Sequence, residues 1–347
     1  SAGAARENIA RQVEDLPDRQ DLGTMTHSCI HCQALMYADE KTRGVIASPE
    51  FQICCGQGQY VMDPWNDTPA YIRTLLQNNT EESKDFKKHI RAFNNAFSFT
   101  SMGVNMDTTI QSRPGTYCYR IHGAVHHRIG SLLPDQDMEP RFAQVYIYDR
   151  SEDVQINSRH RIATYLNRQI LAMLQNMMLE INPYYAIFRS MKEFIDENPE
   201  SIDNLRFVLQ AQGTPDPRRY NLPVLGDEIA VLIVNSGLSD EDAGLAKRDI
   251  ILRPRSGGIQ RINETHQSYD PLGYPLLFLS GEPGWNLQTY SLSNVKITAN
   301  KFYAFRLMYR NNNHSLHLYG KLFHQFIVDM YAKIEQNRLN YLRQNQS

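Results

Sequence analysis

The chain is poor in cysteine, in long apolar runs and in net charge. Five cysteines in 347 residues are too few, and odd in number, for the disulfide framework of a small secreted protein. The longest apolar run, residues 229–234, is far shorter than the roughly 20 apolar residues of a membrane-spanning helix, so we expect no membrane contact. A net charge of -2 gives no overall attraction to nucleic acid, so affinity for DNA must come from local patches.

Motifs for nucleotide hydrolysis and for other common enzyme chemistry are also absent. The sequence has no GxxxxGK[ST] loop to hold phosphates, no GxSxG turn and no HExxH zinc motif. We therefore predict no catalytic residue in this chain. A zinc hydrolase that uses His126 or His127 is the least favoured interpretation, because a zinc ion with four protein ligands has no open position for water.

Four of the five cysteines lie close together in sequence and predict a structural zinc site. Cys29 and Cys32 form a CxxC pair, and the adjacent Cys54 and Cys55 follow after 21 residues. Two such pairs can complete a tetrahedron of thiolates, and soft thiolates favour Zn²⁺. Adjacent side chains point apart in extended chain, so two ligand sets are possible. Either both Cys54 and Cys55 bind the ion, or one of them packs in the core and His27 or His31 is the fourth ligand. The alternative is four buried free cysteines.

Three stretches combine cations with aromatic residues, as single-stranded nucleic acid binding requires. They cover residues 108–134, 247–261 and 301–310. The cations that we predict to contact phosphate are Arg120, Arg128, Arg253, Arg255, Arg261, Lys301, Arg306 and Arg310. The rings that we predict to stack on bases are Tyr117, Tyr119, Phe302 and Tyr303.

Hydrophobic periodicity predicts an α+β fold: a small N-terminal zinc-binding module, a mixed α/β body with several antiparallel strands, and a long C-terminal helix. Alternation predicts strands in 115–125 and 141–148, and further strands at 205–210 and 228–234. Helices are predicted within 63–107, in 157–181, where apolar residues recur every four positions, at 184–198 and at 321–345. A hairpin is predicted to join 250–255 to 259–262. The predicted regions are a polar tail (1–26), the zinc module (27–62), a DNA-binding region (63–156), a helical insert (157–200) and an α+β region (201–347).

An ordered set of short blocks resembles the N-terminal region of Helitron transposases, the rolling-circle initiator and helicase proteins of eukaryotic transposons. The resemblance runs from about residue 27 to 347 and is weakest around 157–225. The blocks are the CxxC at 29–32, CCGQG at 54–58, FNNAFSF at 93–99, TYCYRIHG at 116–123, HRIG at 127–130, FAQVYI at 142–147, YDPL at 269–272, YPLLF at 274–278, GEPGW at 281–285, GKLF at 320–323 and the segment 328–346.

The resemblance implies a parent protein that nicks single-stranded DNA with a catalytic tyrosine and then unwinds it with an ATP-driven helicase. In the family those motifs lie downstream of the segment that matches 337–346, so the resemblance assigns no catalytic residue to this chain. We therefore expect a non-catalytic, zinc-stapled region that binds DNA, either single-stranded or at transposon ends. Its other expected partners are the downstream nuclease and helicase domains, and its expected location is the nucleus. The alternative is a structural scaffold that docks on those domains or on another protein without binding DNA.

Overall fold

A computed structural model describes residues 23–45, 48–106, 121–135, 137–148, 151–211, 231–235, 248–255, 258–310 and 316–346. Within these residues nine α-helices are numbered here in chain order: α1 (Ala70–Gln77), α2 (Glu81–Phe97), α3 (Ala143–Tyr148), α4 (Glu152–Ile162), α5 (Arg168–Ile181), α6 (Pro183–Glu197), α7 (Tyr269–Gly273), α8 (Ala299–Leu307) and α9 (Lys321–Gln344). Short 3-10 helices lie at Ala38–Glu40, Pro199–Asn204 and Leu316–Tyr319. No helix in the described part of the chain has the length and apolar character needed to cross a membrane.

Ten strands form four small antiparallel sheets in the described residues. The strands are β1 (His27–Ser28), β2 (Leu35–Met36), β3 (Arg43–Val45), β4 (Ser48–Glu50), β5 (Ser101–Met106), β6 (Ile121–Ile129), β7 (Leu205–Leu209), β8 (Val231–Asn235), β9 (Ile250–Leu252) and β10 (Gln260–Arg261). Two sheets are the hairpins β1-β2 and β3-β4, and the other two have the orders β10-β6-β5 and β8-β7-β9. The mixture of helices and antiparallel sheets, with a long helix at the C-terminal end of the described chain, confirms the predicted fold class in outline.

Helix α2 shows how local sequence fixes an element that supports the rest of the fold. The hydroxyl of Thr80 accepts a hydrogen bond from the backbone N–H of Ser83, and Glu81 and Glu82 follow in the first turn, where their charges favour the helix dipole. Its apolar residues recur at helical spacing and are buried: Phe86, Ile90, Phe93 and Phe97. The prediction of helix within 63–107 is confirmed for α1 and α2, whereas 101–106 is strand β5.

A fully buried arginine joins α2 to the helices of the predicted insert. Arg159 of α4 donates to the carbonyl of Ala96 at 2.8 Å and to the side chain of Gln175 at 3.2 Å. Its guanidinium also lies over the rings of Phe97 and Tyr146, 4.7 and 4.5 Å from their centroids. A buried cation is tolerated only when its donors are satisfied, so this network fixes α4 against the core.

Residues 143–148 form helix α3, so the prediction of a strand at 141–148 was wrong. Val145, Tyr146 and Ile147 are all buried, and the hydroxyl of Tyr146 donates to the carbonyl of Phe97. A segment that is buried on every side has no polar face. Alternation of large and small apolar residues therefore cannot distinguish a strand from a helix here.

The predicted stripe over 157–181 is divided between α4 and α5 by a turn at 163–167. The side-chain oxygen of Asn167 accepts from the N–H groups of Gln169 and Ile170, which caps α5 and starts a new helix there. Ile162, which belongs to that stripe, is 47 % exposed, while Leu166 is buried within the turn. The next predicted helix is confirmed as α6, with Pro183 in its first turn.

The predicted hairpin of 250–255 with 259–262 was also wrong. Strand β9 pairs with β7, whereas β10 pairs with β6, so the two segments belong to different sheets. The strand predicted at 205–210 is confirmed as β7, and the strand predicted at 228–234 is confirmed as β8 for residues 231–234, while 228–230 lie outside the described residues; β7 and β8 pair with each other. The C-terminal helix is confirmed as α9, near whose end Tyr341 is 67 % exposed.

Candidate metal centre and basic surface

The first cysteine pair lies on the tight turn between β1 and β2. The N–H of Cys29 donates to the carbonyl of Ala34 at 2.9 Å, and the N–H of Gln33 donates back to the carbonyl of Cys29 at 2.8 Å. Gln33 has a φ of 60°, a left-handed conformation that reverses the chain directly after Cys32. The turn thereby directs both thiols of the pair to the same side.

The second pair lies on a compact turn over residues 52–60 rather than on extended chain. The N–H of Gly56 donates to the carbonyl of Gln52, and both Gly56 and Gly58 have positive φ. A Cβ at Gly56 would lie 2.2 Å from the ring of Tyr60, and one at Gly58 would lie 3.0 Å from the ring of His31. Because the chain is coiled here, the side chains of Cys54 and Cys55 can point the same way.

The four sulfurs meet in one buried cluster. All four ligand atoms lie within 4.8 Å of one another, with Cys29 Sγ 3.8 Å from Cys55 Sγ and Cys54 Sγ 3.9 Å from Cys55 Sγ. A disulfide needs about 2.05 Å between sulfurs, whereas four thiolates about 2.3 Å from a central zinc ion lie about 3.8 Å apart. The geometry therefore fits a tetrahedral metal site. Neither His27 nor His31 belongs to this group in the described residues.

The pKa values of the thiols indicate how many of the four cysteines the protein alone can hold as thiolates. Hydrogen bonds from the thiols of Cys54 and Cys55 hold the pKa of Cys32 far below its usual range. The same hydrogen bonds to Cys32 raise the pKa values of Cys54 and Cys55. The N–H of Gly58 also donates to Cys55 Sγ, at 3.3 Å. Protein groups thus favour one thiolate, and a bound cation would be required to hold all four cysteines as thiolates.

Arg310 fixes this cluster to the C-terminal helices. Its Nε donates to the carbonyl of Cys32 at 2.8 Å and its Nη1 to the carbonyl of Phe305 at 2.7 Å, while the guanidinium lies 4.0 Å from the centroid of the Phe305 ring. The N–H of Leu35 donates to the carbonyl of Tyr309. Arg310, predicted to contact phosphate, therefore has its Nε and Nη1 engaged by backbone carbonyls, while its Nη2 is buried without a hydrogen-bond partner among the described residues.

The rest of the third basic stretch is also committed to the fold. Arg306 donates to the carbonyl of Asp63 at 2.6 Å and lies over the ring of Trp65, and burial lowers the pKa of Arg306 to about 10. Lys301 lies over the ring of Tyr60, 4.1 Å from its centroid.

Two aromatic residues of the same stretch have no ring face available to a base. Phe302 and Tyr303 are each only 3 % exposed, and the hydroxyl of Tyr303 donates to Asp270 at 2.7 Å. The prediction that these rings stack on DNA is therefore corrected: both belong to the core.

The first two basic stretches, in contrast, meet on one sheet. Arg261 of β10 lies directly opposite Arg128 of β6, and residues opposite each other in a sheet share a face. Arg128 donates to the ring of His126 at 2.9 Å, and Arg261 contacts Glu264 at 3.1 Å. We call this face, defined by His126, Arg128 and Arg261, the basic sheet face.

Two further predicted cations lie beside the chain that follows β6. The N–H of Leu132 donates to the carbonyl of Arg253, and that of Leu133 donates to the carbonyl of Pro254. Arg253 is half-buried and Arg255 is exposed. The other predicted contacts, Tyr117, Tyr119 and Arg120, lie outside the described residues.

Sequence reasoning missed a buried polar network behind the basic sheet face. His127 Nε2 lies 2.8 Å from Asp329 Oδ2, and the hydroxyl of Tyr274 donates to the same oxygen at 3.0 Å. Beside it, Lys333 donates to Asp270 at 2.8 Å, with both side chains buried. Burial, together with the charge of Asp329, raises the pKa of Tyr274, so that its hydroxyl stays a donor.

A signal for this network was present in the C-terminal helix. Asp329 and Lys333 are four residues apart, so they lie on one face of α9, and Met330 on the same side is buried. Two polar residues on the buried side of an amphipathic helix indicate buried partners. The sequence could not show that those partners are His127, Asp270 and Tyr274.

The fold and these sites define a mixed α/β protein with a buried four-cysteine cluster of metal-binding geometry, held against its C-terminal helices. The family described as Helitron helicase-like domain at N-terminus matches residues 302–347, which include most of α8 and all of α9. These residues are similar to a Helitron helicase-like N-terminal region, which confirms the predicted resemblance for this segment of the chain. No curated protein matches the chain.

Proposed function

We propose that this chain is a non-catalytic, DNA-binding N-terminal region of a Helitron rolling-circle transposase, and that it acts in the nucleus. One observation carries the proposal: Arg128 and Arg261 come from two separate stretches and are paired directly across the basic sheet face. Like charges opposite each other destabilise a sheet, so fold stability alone does not favour this pair. An anionic partner such as the DNA backbone would neutralise it.

We further propose that the four-cysteine cluster holds a structural Zn²⁺. All four ligands are sulfur, which favours zinc among common cellular ions, and four protein ligands leave no open position for a reacting water. The metal would join the two cysteine-bearing turns to each other, and Arg310 joins the first turn to Phe305 of α8. Such a link is needed because a small hairpin such as β1-β2 is not stable alone. Elemental analysis of the purified chain would find one zinc per chain, and its absence would remove this part of the proposal.

The DNA-binding proposal is tested by fluorescence anisotropy with labelled single- and double-stranded oligonucleotides. Binding should weaken steeply between about 50 and 200 mM salt, because bound phosphates release counterions. The double variant R128A/R261A should lower the slope of log affinity against log salt by about two, one for each lost phosphate contact. K84A/R189A removes two exposed cations from α2 and α6 and serves as the matched control. Binding that ignores salt would contradict the proposal.

A second candidate function is a scaffold that docks on the downstream nuclease and helicase domains or on another protein. The observation that favours it is the exposure of large apolar side chains on α9: Val328, Tyr331, Leu339, Tyr341 and Leu342. Contiguous exposed apolar surface is typical of an interface. No anisotropy change with either oligonucleotide at low salt, together with co-elution of the chain with those domains, would favour the scaffold.

A further inference from the structure

A large cleft lies on the reverse side of the strand that carries the basic sheet face. It has a volume of about 990 Å³, at the upper end of the range of small-ligand sites. Side chains alternate along β6, so Arg128 lies on the solvent-facing side, whereas the preceding residue, His127, lies on the other side and lines the cleft. Residues from α2, α4, β5 and α9 form the other walls.

The rim of the cleft carries uncompensated positive charge. Arg91, Arg141 and Lys321 line it, and none of the three has a carboxylate partner within the described part of the chain. A fourth cation, Arg161, is paired with Glu139. Three unpaired cations around one concave site would hold an anion such as a phosphate, because field lines concentrate in a cleft with low-dielectric walls.

The floor of the cleft, in contrast to the cationic rim, presents a hydrogen-bond acceptor without a donor from the residues that the structure describes. Asp329 is almost fully buried, and its Oδ2 is occupied by His127 and Tyr274, but its Oδ1 has no hydrogen-bond partner among the described residues. The hydroxyl of Thr100, also in the floor, is buried without a partner. Buried polar atoms are rarely left unpaired, so the floor is suited to a ligand group that donates to Asp329.

Between rim and floor the cleft has an apolar wall. Met102, Ile162 and Val328 line it with exposed side chains, and Phe142 lies beside them. Phe142 has a φ of 53°, which is a strained conformation for a bulky residue, and such strain is found preferentially at functional sites. An apolar wall of this kind suits a flat ring or a sugar.

We propose that this cleft is a nucleotide-binding site. The cations of the rim would hold the phosphate, the apolar wall would contact the base or sugar, and an amino or hydroxyl group would donate to Asp329 Oδ1. A bare anion does not fit, because it would meet the unpaired carboxylate oxygen. If the bound nucleotide is one unit of a DNA strand, this inference rests on the proposed DNA-binding function. A free nucleotide has the same chemistry.

Calorimetric titration of the full chain tests the proposal. The probes are deoxyadenosine 5′-monophosphate, deoxyadenosine, inorganic phosphate and a short adenine oligonucleotide. We expect the monophosphate to bind at least about tenfold more tightly than phosphate or the nucleoside, because only the monophosphate satisfies both rim and floor. Equal affinity for phosphate and monophosphate, or no binding of either nucleotide probe, would overturn the proposal.

Variants place the binding in the cleft. R141Q or K321Q should weaken the monophosphate by about tenfold, since each removes one charge-assisted contact. V328W should narrow the cleft at its apolar wall and weaken binding of the monophosphate, whereas M173W, at an exposed position of α5 that does not line the cleft, should leave it unchanged. Unchanged binding by V328W would refute the site, and because Val328 is exposed the variant is expected to fold.

The same titrations separate the two proposals. If R128A/R261A weakens the oligonucleotide and spares the monophosphate, the basic sheet face and the cleft are distinct sites, as proposed. If the monophosphate binds and oligonucleotides do not, the cleft stands as a site for free nucleotides and the DNA-binding function fails. If oligonucleotides bind through Arg128 and Arg261 and V328W affects no probe, the cleft proposal alone fails.

Discussion

The third basic stretch and the basic sheet face have the same kind of sequence but opposite structural roles. In both, cations alternate with aromatic or histidine residues. Arg306 and Arg310 donate to the backbone carbonyls of Asp63 and Cys32, whereas Arg128 and Arg261 lie side by side across two strands. Composition therefore predicts a basic surface only where the side-chain donors are not already bound to backbone carbonyls.

The largest effect is expected from the cysteine cluster, on which the third stretch is packed. C32S should release the metal and destabilise the chain by more than about 5 kcal/mol, because a structural zinc contributes on the order of 10 kcal/mol of binding free energy. Thermal unfolding with and without a chelator, together with metal analysis, measures this. C118S, at the one cysteine of the sequence that belongs to neither pair, is the matched control. A C32S variant that keeps its metal and its stability would contradict the account.

A smaller loss is expected for Arg310. R310A removes the donor to the carbonyls of Cys32 and Phe305 and should cost about 1–3 kcal/mol, because buried acceptors lose their partner. R261A removes an exposed side chain whose ion pair within the described part of the chain is with Glu264, and should change stability by less than about 0.5 kcal/mol. Urea unfolding of the two variants compares them directly. Equal losses would break the distinction between the two regions.

The effect of removing the Lys301 side chain on stability should lie between the effects of R310A and R261A. Lys301 is exposed, yet it lies over the ring of Tyr60, so K301A should cost about 0.5–1 kcal/mol in the same urea experiment. K301R keeps the cation over the ring and should restore most of the loss. If K301A leaves stability unchanged and lowers the salt slope of DNA binding, Lys301 belongs with the DNA-binding surface instead.

The smallest effect on stability, and the largest on binding, is expected from the basic sheet face. R128A should leave the free energy of unfolding within about 0.5 kcal/mol and lower the salt slope of DNA binding by about one. Arg128 also donates to His126, so R128K, which keeps the charge, provides the control. A slope that falls with R128A and not with R128K would show that charge is what DNA reads at this position.

Local signals in the sequence predicted the elements that are capped and amphipathic. The helical spacing of the apolar residues from Phe86 to Phe97 predicted α2, and the same periodicity at 184–198 predicted α6. The spacing of Cys29, Cys32, Cys54 and Cys55 indicated the cluster, since ligand spacing reflects the local turns that position thiols.

Features that depend on distant partners could not be predicted in this way. Strand β10 pairs with β6 rather than with its neighbour β9, a choice made by tertiary packing. The roles of Arg306 and Arg310 depend on carbonyls more than 240 positions away in sequence. The contact of His127 with Asp329 spans 202 positions, so no local pattern could reveal it.

Hydrogen–deuterium exchange with and without a bound single-stranded oligonucleotide locates the DNA-binding surface on the chain. We expect added protection in peptides that cover 126–129 and 258–262, which contain the basic sheet face, and none in peptides that cover 301–310. Protection confined to 301–310, with no change in the sheet peptides, would contradict this expectation.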